Sequence, residues 1–473
     1  MPSSKPKLAI IGTFDDLCGI AAYVKTMVRL LGDRYDVTVF DLDQYLFKHT
    51  SPTVQRLAEA EVRRICAELP RFDAVNIQLE HGLFGTSANM IVRRLKSIIR
   101  ACPTLVITFH TILEGGHPKW RTLLRSVVRG RPLRGVQAFR QMRHDNLLAN
   151  GLYRFLRQEQ RRRGARQRLS IVVHTRRDRR MLQYVHSLEN VYDHPLAQLT
   201  PDRVAEIRSR ADRANFAGLG QLPPDAILLG CFGFLSSYKG FDTAIKAVRL
   251  LPKRYHLAIF GALHPGGTKA FAKRDAYLSK LLAMVHAGQR LLESGKERGK
   301  KSPFNIAVEG DRLPELMASS NPDDLSARVH FLGAVSDDDF PAAIAVCDTV
   351  LLPYREVGQS SSGPLCLGIE LGKHVIATRT KAFLQAQRYY RNRYRTIDID
   401  NHLELAQAIE AESGVVGDFP LPTSFSAETN RAMYLALLAG EQPKNVGIPD
   451  HADLPAGESG PPPALLVAAG GAS

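Results

Sequence analysis

Two successive series of short apolar runs, each run followed by glycine or polar residues and then a helical pattern, limit the fold more than any other feature. The first series opens at Leu8–Gly12, passes through a helical pattern at Gly19–Leu31 and a run at Tyr35–Leu42, and adds Ala74–Leu79, Leu105–Phe109 and Ile171–His174. Apolar runs alternating with helices are the grammar of a parallel sheet covered on both faces. After Leu222, Pro223 and Pro224 the grammar restarts: Ile227–Phe232, a helix at Phe241–Leu250, His256–Phe260, a helical region at Lys269–Arg298, Asn305–Val308, Val329–Leu332, a helix near Asp338–Val346, Thr349–Leu352, a helix at Leu365–Leu371 and His374–Thr378. The expected architecture is α/β, with doubly wound domains over 1–221 and 222–425 and a helix over 426–440 packing back towards the first domain. The Pro-, Gly- and Ala-rich tail, 441–473, carries too little apolar surface to offset its ordering entropy and is expected to be disordered.

The sequence argues against several classes. No run of about 18 uncharged apolar residues occurs and the N-terminus shows no signal-peptide pattern, so a cytoplasmic location is expected. Cys18, Cys66, Cys102, Cys231, Cys347 and Cys366 form no CxxC pair and no zinc-like spacing, and read as reduced thiols filling cores. The GxGxxG of a dinucleotide site is absent.

Ligands of facing doubly wound domains bind in the crevice at the carboxyl ends of the strands, so residues just after strands are the candidates. Gly12 to Ala21 follows the first run and opens a helix, where Gly19 lets a ligand approach free backbone amides. Gly233 to Gly240 follows Ile227–Phe232 and carries Lys239, a mobile cation suited to a diphosphate or an ordinary solvated lysine. Gln359, Ser360, Ser361, Ser362 and Gly363 lead from Thr349–Leu352 into the apolar helix; they suit phosphate oxygens without a metal, or form a Ser/Gly linker. His110 and His174 end strands, where either faces a sugar or phosphate or simply caps the strand. Asp41 and Asp43 spell a DxD, attributed to chance near the second strand end.

Taken together these segments resemble glycosyltransferase family 4, retaining enzymes of the GT-B fold with two facing Rossmann-like domains. The residues that carry the likeness are Leu8 to Tyr23, Val75 to Gly85 (VNIQLEHGLFG), Thr108 to Thr111, Gly233 to Gly240 and Leu351 to Thr378, spread over residues 7 to 385. The resemblance implies a nucleotide diphosphate sugar held by the second domain, its diphosphate between Lys239 and the amides of Ser360 to Gly363. It puts the base near Gly333, Ala334 and Val335, Gly19 near the donor phosphate or acceptor, and His110 beside the transferred sugar. It implies catalytic roles for His110 and Lys239, an acceptor on the first domain, retention by front-face attack, and no metal or other cofactor. The family's phosphate-site arginine is Phe234 here, and its paired glutamates fall at Gln359 and Leu367; Glu356 and Glu370 lie near at a different spacing. Those departures keep open a second reading, a catalytically silent GT-B binding or scaffold subunit; a sugar-nucleotide epimerase is a third.

The net charge is concentrated in one segment. Residues 119–180 hold 18 Arg and one Lys against three acidic residues, an excess equal to the +16 of the whole chain. Apolar residues from Trp120 to Leu156 are interleaved with the arginines, as in amphipathic helices, which predicts docking on an anionic membrane surface near a glycan or lipid-linked acceptor. The bland alternative is solvated helices whose aliphatic stems cover the first domain. No nucleic-acid recognition module is visible.

Overall fold

The computed structural model describes residues 5–16, 18–113, 132–164, 168–263, 275–286, 324–412 and 424–444. The first domain contains β1 (Lys7–Gly12), α1 (Gly19–Leu31), β2 (Asp36–Asp41), α2 (Gln44–Lys48), α3 (Pro52–Glu68), β3 (Ala74–Leu79), α4 (Ala88–Ala101) and β4 (Thr104–Phe109). Then follow α5 (Pro132–Arg163), β5 (Leu169–Val173), α6 (Arg176–Arg180) and β6 (Val191–Asp193). Its sheet is six-stranded, ordered β2-β1-β3-β4-β5-β6, and every pairing is parallel.

The sequence dictates this locally. In β3 all positions are buried, as a strand covered by helices on both faces requires, and α1 starts where the Cys18 thiol accepts from Ala21 N–H. Helices α3, α4 and α5 cover one face of the sheet around Ile65, Leu95, Ile98, Leu152 and Leu156. The other face is covered by α1 and by a helix from the far end of the chain.

The second domain begins with α7 (Pro201–Arg210) and contains β7 (Ile227–Phe232), α8 (Phe241–Leu250), β8 (Tyr255–Phe260), α9 (Ala276–Val285), β9 (Val329–Phe331), α10 (Phe340–Ala345) and β10 (Thr349–Leu352). It ends with α11 (Gly363–Glu370), β11 (His374–Thr378), α12 (Lys381–Ala386), β12 (Arg395–Ile397) and α13 (His402–Glu412). Its parallel sheet is ordered β12-β11-β10-β7-β8-β9. The last described helix, α14 (Ala427–Leu438), returns to the first sheet: the Tyr434 and Thr108 hydroxyls are 2.6 Å apart and Asn430 donates to Tyr23.

The domain boundary differs from the sequence expectation. Leu199, Val204, Ile207 and Leu219 lie in the core of the second domain, so the changeover falls near 195–198 rather than at the proline pair. The prolines only punctuate a loop inside that domain. The physical reason is long-range packing: Glu370 of α11 accepts the N–H groups of Gln198 and Leu199, and Arg208 donates to Leu371 O.

The basic segment also needs correction. Leu148, Tyr153, Phe155 and Leu156, read as one side of a membrane-facing helix, are core residues, and Arg163 is buried with its guanidinium on the Pro103 and Ile99 carbonyls. Residues 119–131 lie outside the described residues, as do the strand expected at Asn305–Val308 and the tail from 445. No described helix is long and apolar enough to cross a membrane.

Candidate functional site

Lys239 sits on the turn between β7 and α8, and the turn is locked to the loop after β10. Arg355 N–H donates to Tyr238 O at 2.6 Å, and the Arg355 guanidinium reaches Ser237 O as well as Asp242 and Asp400. Gly240 adopts φ +69°, and a Cβ there would stand 1.8 Å from Pro353 O, so only glycine permits the two loops to touch. Burial alone would raise the Asp242 carboxyl, but hydrogen bonds from Arg355, Lys280 and Tyr277 together pull it down to about 2. Asp242 therefore stays charged and braces the turn from behind.

The Lys239 side chain is buried. Its ammonium donates to the Tyr354 hydroxyl at 2.7 Å and lies 4.0 Å from that ring's centroid, and Tyr354 is in turn hydrogen-bonded with Ser362. Among the described residues no carboxylate lies within ion-pair distance of Lys239. Desolvation lowers its pKa to about 7, the cost of burying a cation among aromatic rings and neutral donors. Among the described residues the Lys239 ammonium thus has a phenol for its hydrogen-bond acceptor and no countercharge.

Ser362 caps α11, its hydroxyl accepting from Leu365 N–H; Ser360 and Ser362 are both buried, and Ser362 lies beside Tyr354. Gln359 and Ser360 line a cavity of about 410 Å³ between the domains. Its opposite wall is Thr111, Ile112, Leu113, Met142, Asp145, Thr175, Arg177 and Asp178 of the first domain. That volume lies within the roughly 300–1,000 Å³ of small-molecule sites. Of the residues singled out in the sequence, the structure gathers Lys239, Gln359 and Ser362 around Tyr354, with Ser360, Ser361 and Gly363 on the same turn.

Others stand apart. His110 Nε2 donates to Gln78 Oε1 at 2.8 Å, and its ring packs against Tyr23 and His174. Burial and the neighbouring His174 hold it well below its ordinary pKa, so it is a neutral ring. Only its neighbour Thr111 reaches the cavity. Val335 borders a separate cavity of about 580 Å³, with Phe216, Arg203 and Ser336, while Gly333 takes φ +75° in the turn before it. Gly19 opens α1 with nothing within 4 Å of where a Cβ would be, and Lys25 of that helix pairs with Asp337 across the domains at 2.6 Å.

The carboxylates near the family motif serve the fold. Glu356 accepts from Gly358 and Lys381 N–H groups, shaping the loop. Glu370, pushed up to about 7 by burial, holds the interdomain segment. Asp41 accepts from Phe14 N–H and Asp43 caps α2, so the DxD is occupied by backbone donors. Sequence reasoning missed Tyr354, the residue that ties Lys239 to Ser362; its signal was its place just after β10. All six cysteines are free, and among the described residues no cluster of three or more His, Cys, Asp or Glu could hold a metal.

No protein-family model and no curated protein sequence matches this chain. Solved structures do. An α,α-trehalose-phosphate synthase (UDP-forming) from Burkholderia xenovorans is 11% identical, covers 92% of this chain and 97% of its own, and superposes with a TM-score of 0.52. The fold is GT-B. Sucrose-phosphate synthase from Thermosynechococcus elongatus (12% identical, 86% of this chain and 90% of its own, TM-score 0.49) and Anabaena HepE in complex with UDP and glucose (13%, 87% and 90%, 0.47) are also similar. In this GT-B chain the Lys239 turn follows β7 and the serine turn leads from β10 into α11, and of the two it is the serine turn whose residues line the interdomain cavity.

Proposed function

We propose that this chain is a glycosyltransferase that moves a hexose from a nucleotide diphosphate sugar to a polysaccharide or lipid-linked acceptor, with retention of configuration and without a metal. The observation that carries the reading is Lys239: a buried ammonium with no carboxylate at ion-pair distance among the described residues, bonded to Tyr354 and through it to the serine turn at the start of α11. A diphosphate arriving there supplies the missing charge, restores the lysine to its protonated form and takes hydrogen bonds from the amides of Ser360 to Gly363. The same contacts stabilise charge developing on the leaving phosphate during transfer. A UDP-forming enzyme of the same fold supports a nucleoside diphosphate as the leaving group. The acceptor is taken from the first-domain wall, where Thr111, Asp145, Thr175 and Asp178 offer polar groups to sugar hydroxyls.

One observation favours the alternative of a silent binding subunit: Glu370 is committed to the interdomain segment, and Gln359 and Leu367 stand where the family has glutamates. Thermal unfolding with millimolar UDP, GDP or ADP, in the native chain and in Lys239→Met, tests the donor site. Saturation at about 100 times Kd stabilises by about 2.7 kcal/mol, a rise of several degrees. A rise for one nucleotide that the variant abolishes supports the donor site; absence of any rise overturns it. If a nucleotide binds but its sugar is neither hydrolysed nor transferred, the silent subunit is the better reading.

A further inference from the structure

The long helix α5 has two faces, and only one of them is used by the fold. Leu148, Leu152, Phe155 and Leu156 point into the first domain's core. On the other side, Val136, Arg140, Arg143, Leu147, Asn150, Arg154, Arg157 and Arg161 follow two interleaved heptad series: 140, 147, 154, 161 and 136, 143, 150, 157. At 3.6 residues per turn these positions share one stripe roughly 100° wide and about 38 Å long. All are exposed except Arg157, which is partly so, and none is acidic.

On the neighbouring helices several arginines are paired within the fold. On α3, Arg64 pairs with Glu61 and Glu68, and on α4 both Arg93 and Arg94 pair with Glu59. Among the described residues none of Arg140, Arg143, Arg154, Arg157 or Arg161 has an acidic partner. The two acids of α5 are engaged otherwise: Glu159 is buried against Arg162 and Arg163, and Asp145 lines the interdomain cavity. Lys96 and Arg100 of α4 widen the basic face, both lying over the Phe155 ring at 5.4 and 5.3 Å; Arg100 also pairs with Glu159 at 3.7 Å, so Lys96 is the one of the two with no acidic partner among the described residues.

We propose that this stripe of α5, flanked by Lys96 and Arg100, is a docking surface for an anionic lipid bilayer. A straight row of unpaired guanidinium groups with exposed Val136 (39%) and Leu147 (51%) among them matches a flat, negatively charged surface with an apolar layer beneath. A nucleic acid would be expected to meet stacking aromatics or a concave basic channel, and the stripe offers neither. Because Met142 and Asp145 of the same helix line the crevice, docking holds the crevice within about one helix diameter of the lipid, on the order of 10 Å. A lipid-anchored acceptor then enters from the membrane side, a consequence that rests on the proposed transferase reading; the docking itself does not.

The test is co-sedimentation of the full chain with vesicles of phosphatidylcholine alone or with a third phosphatidylglycerol, at low and high salt. Binding is expected to the anionic vesicles only and to be released by salt. Each basic residue near such a surface contributes about fivefold in partition, so Arg143→Gln/Arg154→Gln/Arg161→Gln is expected to bind about a hundredfold more weakly. Its unfolding temperature and its response to nucleotide should be unchanged, which separates failure here from failure of the donor site. No binding to anionic vesicles at low salt, or a folded triple variant that binds like the native chain, would overturn the proposal. So would tighter binding to a short RNA or DNA duplex, which would reassign the stripe.

Discussion

At the carboxyl ends of the first sheet the buried side chains are either engaged by the chain's own donors or held neutral by burial. Asp41 accepts from Phe14 N–H, His110 donates to Gln78, and His174 donates to the His194 carbonyl. At the corresponding end of the second sheet, Lys239 is buried over the Tyr238 and Tyr354 rings, and among the described residues its ammonium has the Tyr354 hydroxyl as hydrogen-bond partner and no carboxylate. The two sheets have the same six-stranded parallel construction, so topology alone does not choose which half holds a charged ligand. The difference between the two halves is electrostatic. Buried histidines held neutral, even with His174 Nε2 left without a hydrogen bond among the described residues, carry no charge that needs a counterion, whereas a desolvated cation is stabilised by an incoming anion.

The largest effect that can break this contrast is expected from Gly240→Ala. Its Cβ would be forced against Pro353 O at a backbone angle unfavourable to side chains, separating the lysine turn from the serine turn. A loss on the order of 4 kcal/mol is expected, near the top of the range for single changes, read as a lower unfolding temperature together with loss of nucleotide binding. The corresponding change in the first half, Gly19→Ala, has open space around it and is expected to cost under about 1 kcal/mol.

Next comes Lys239→Met. Removing a charge-assisted contact should weaken nucleoside diphosphate binding by about 100-fold, equivalent to about 2.7 kcal/mol. Without nucleotide the variant should be at least as stable as the native chain at pH 7, because a buried, unpaired cation has been replaced by an apolar side chain of similar length. Weaker binding with undiminished stability distinguishes a ligand site from a structural lysine. The smallest effect is expected on the first-domain side: His110→Gln should change nucleotide affinity less than about threefold in a calorimetric titration. A large loss there would move the donor site towards the first domain.

How much of this was legible in the sequence depends on how local the cause is. β3, β7, β10, β11, α1 and α8 fall where the apolar runs and helical stripes put them, because buried parallel strands and amphipathic helices are written in consecutive residues. Lys239 and Ser360 to Gly363 could be picked out because strand ends are where this fold presents its ligands. The domain boundary could not, since Leu199, Val204 and Ile207 join the second core through contacts with residues far along the chain. For the same reason Glu370, which resembles a displaced motif glutamate, turns out to hold Gln198 and Leu199. In the basic segment the alternation of Arg and apolar residues was plain, but which face met the core was not.

The central claim is that Lys239 awaits an anion, and its protonation is the most direct witness. With its pKa lowered to about 7 in the free protein, the lysine is largely neutral at pH 8, and a bound diphosphate must raise that pKa. Calorimetric titration with the nucleotide found by thermal unfolding, run at pH 8 in buffers of different ionisation enthalpy, measures protons exchanged on binding. Uptake approaching one proton is expected, shrinking towards zero at pH 6, where the lysine is already charged, and absent in Lys239→Met. Binding at pH 8 with no proton uptake, or with the same uptake in Lys239→Met, would contradict the account.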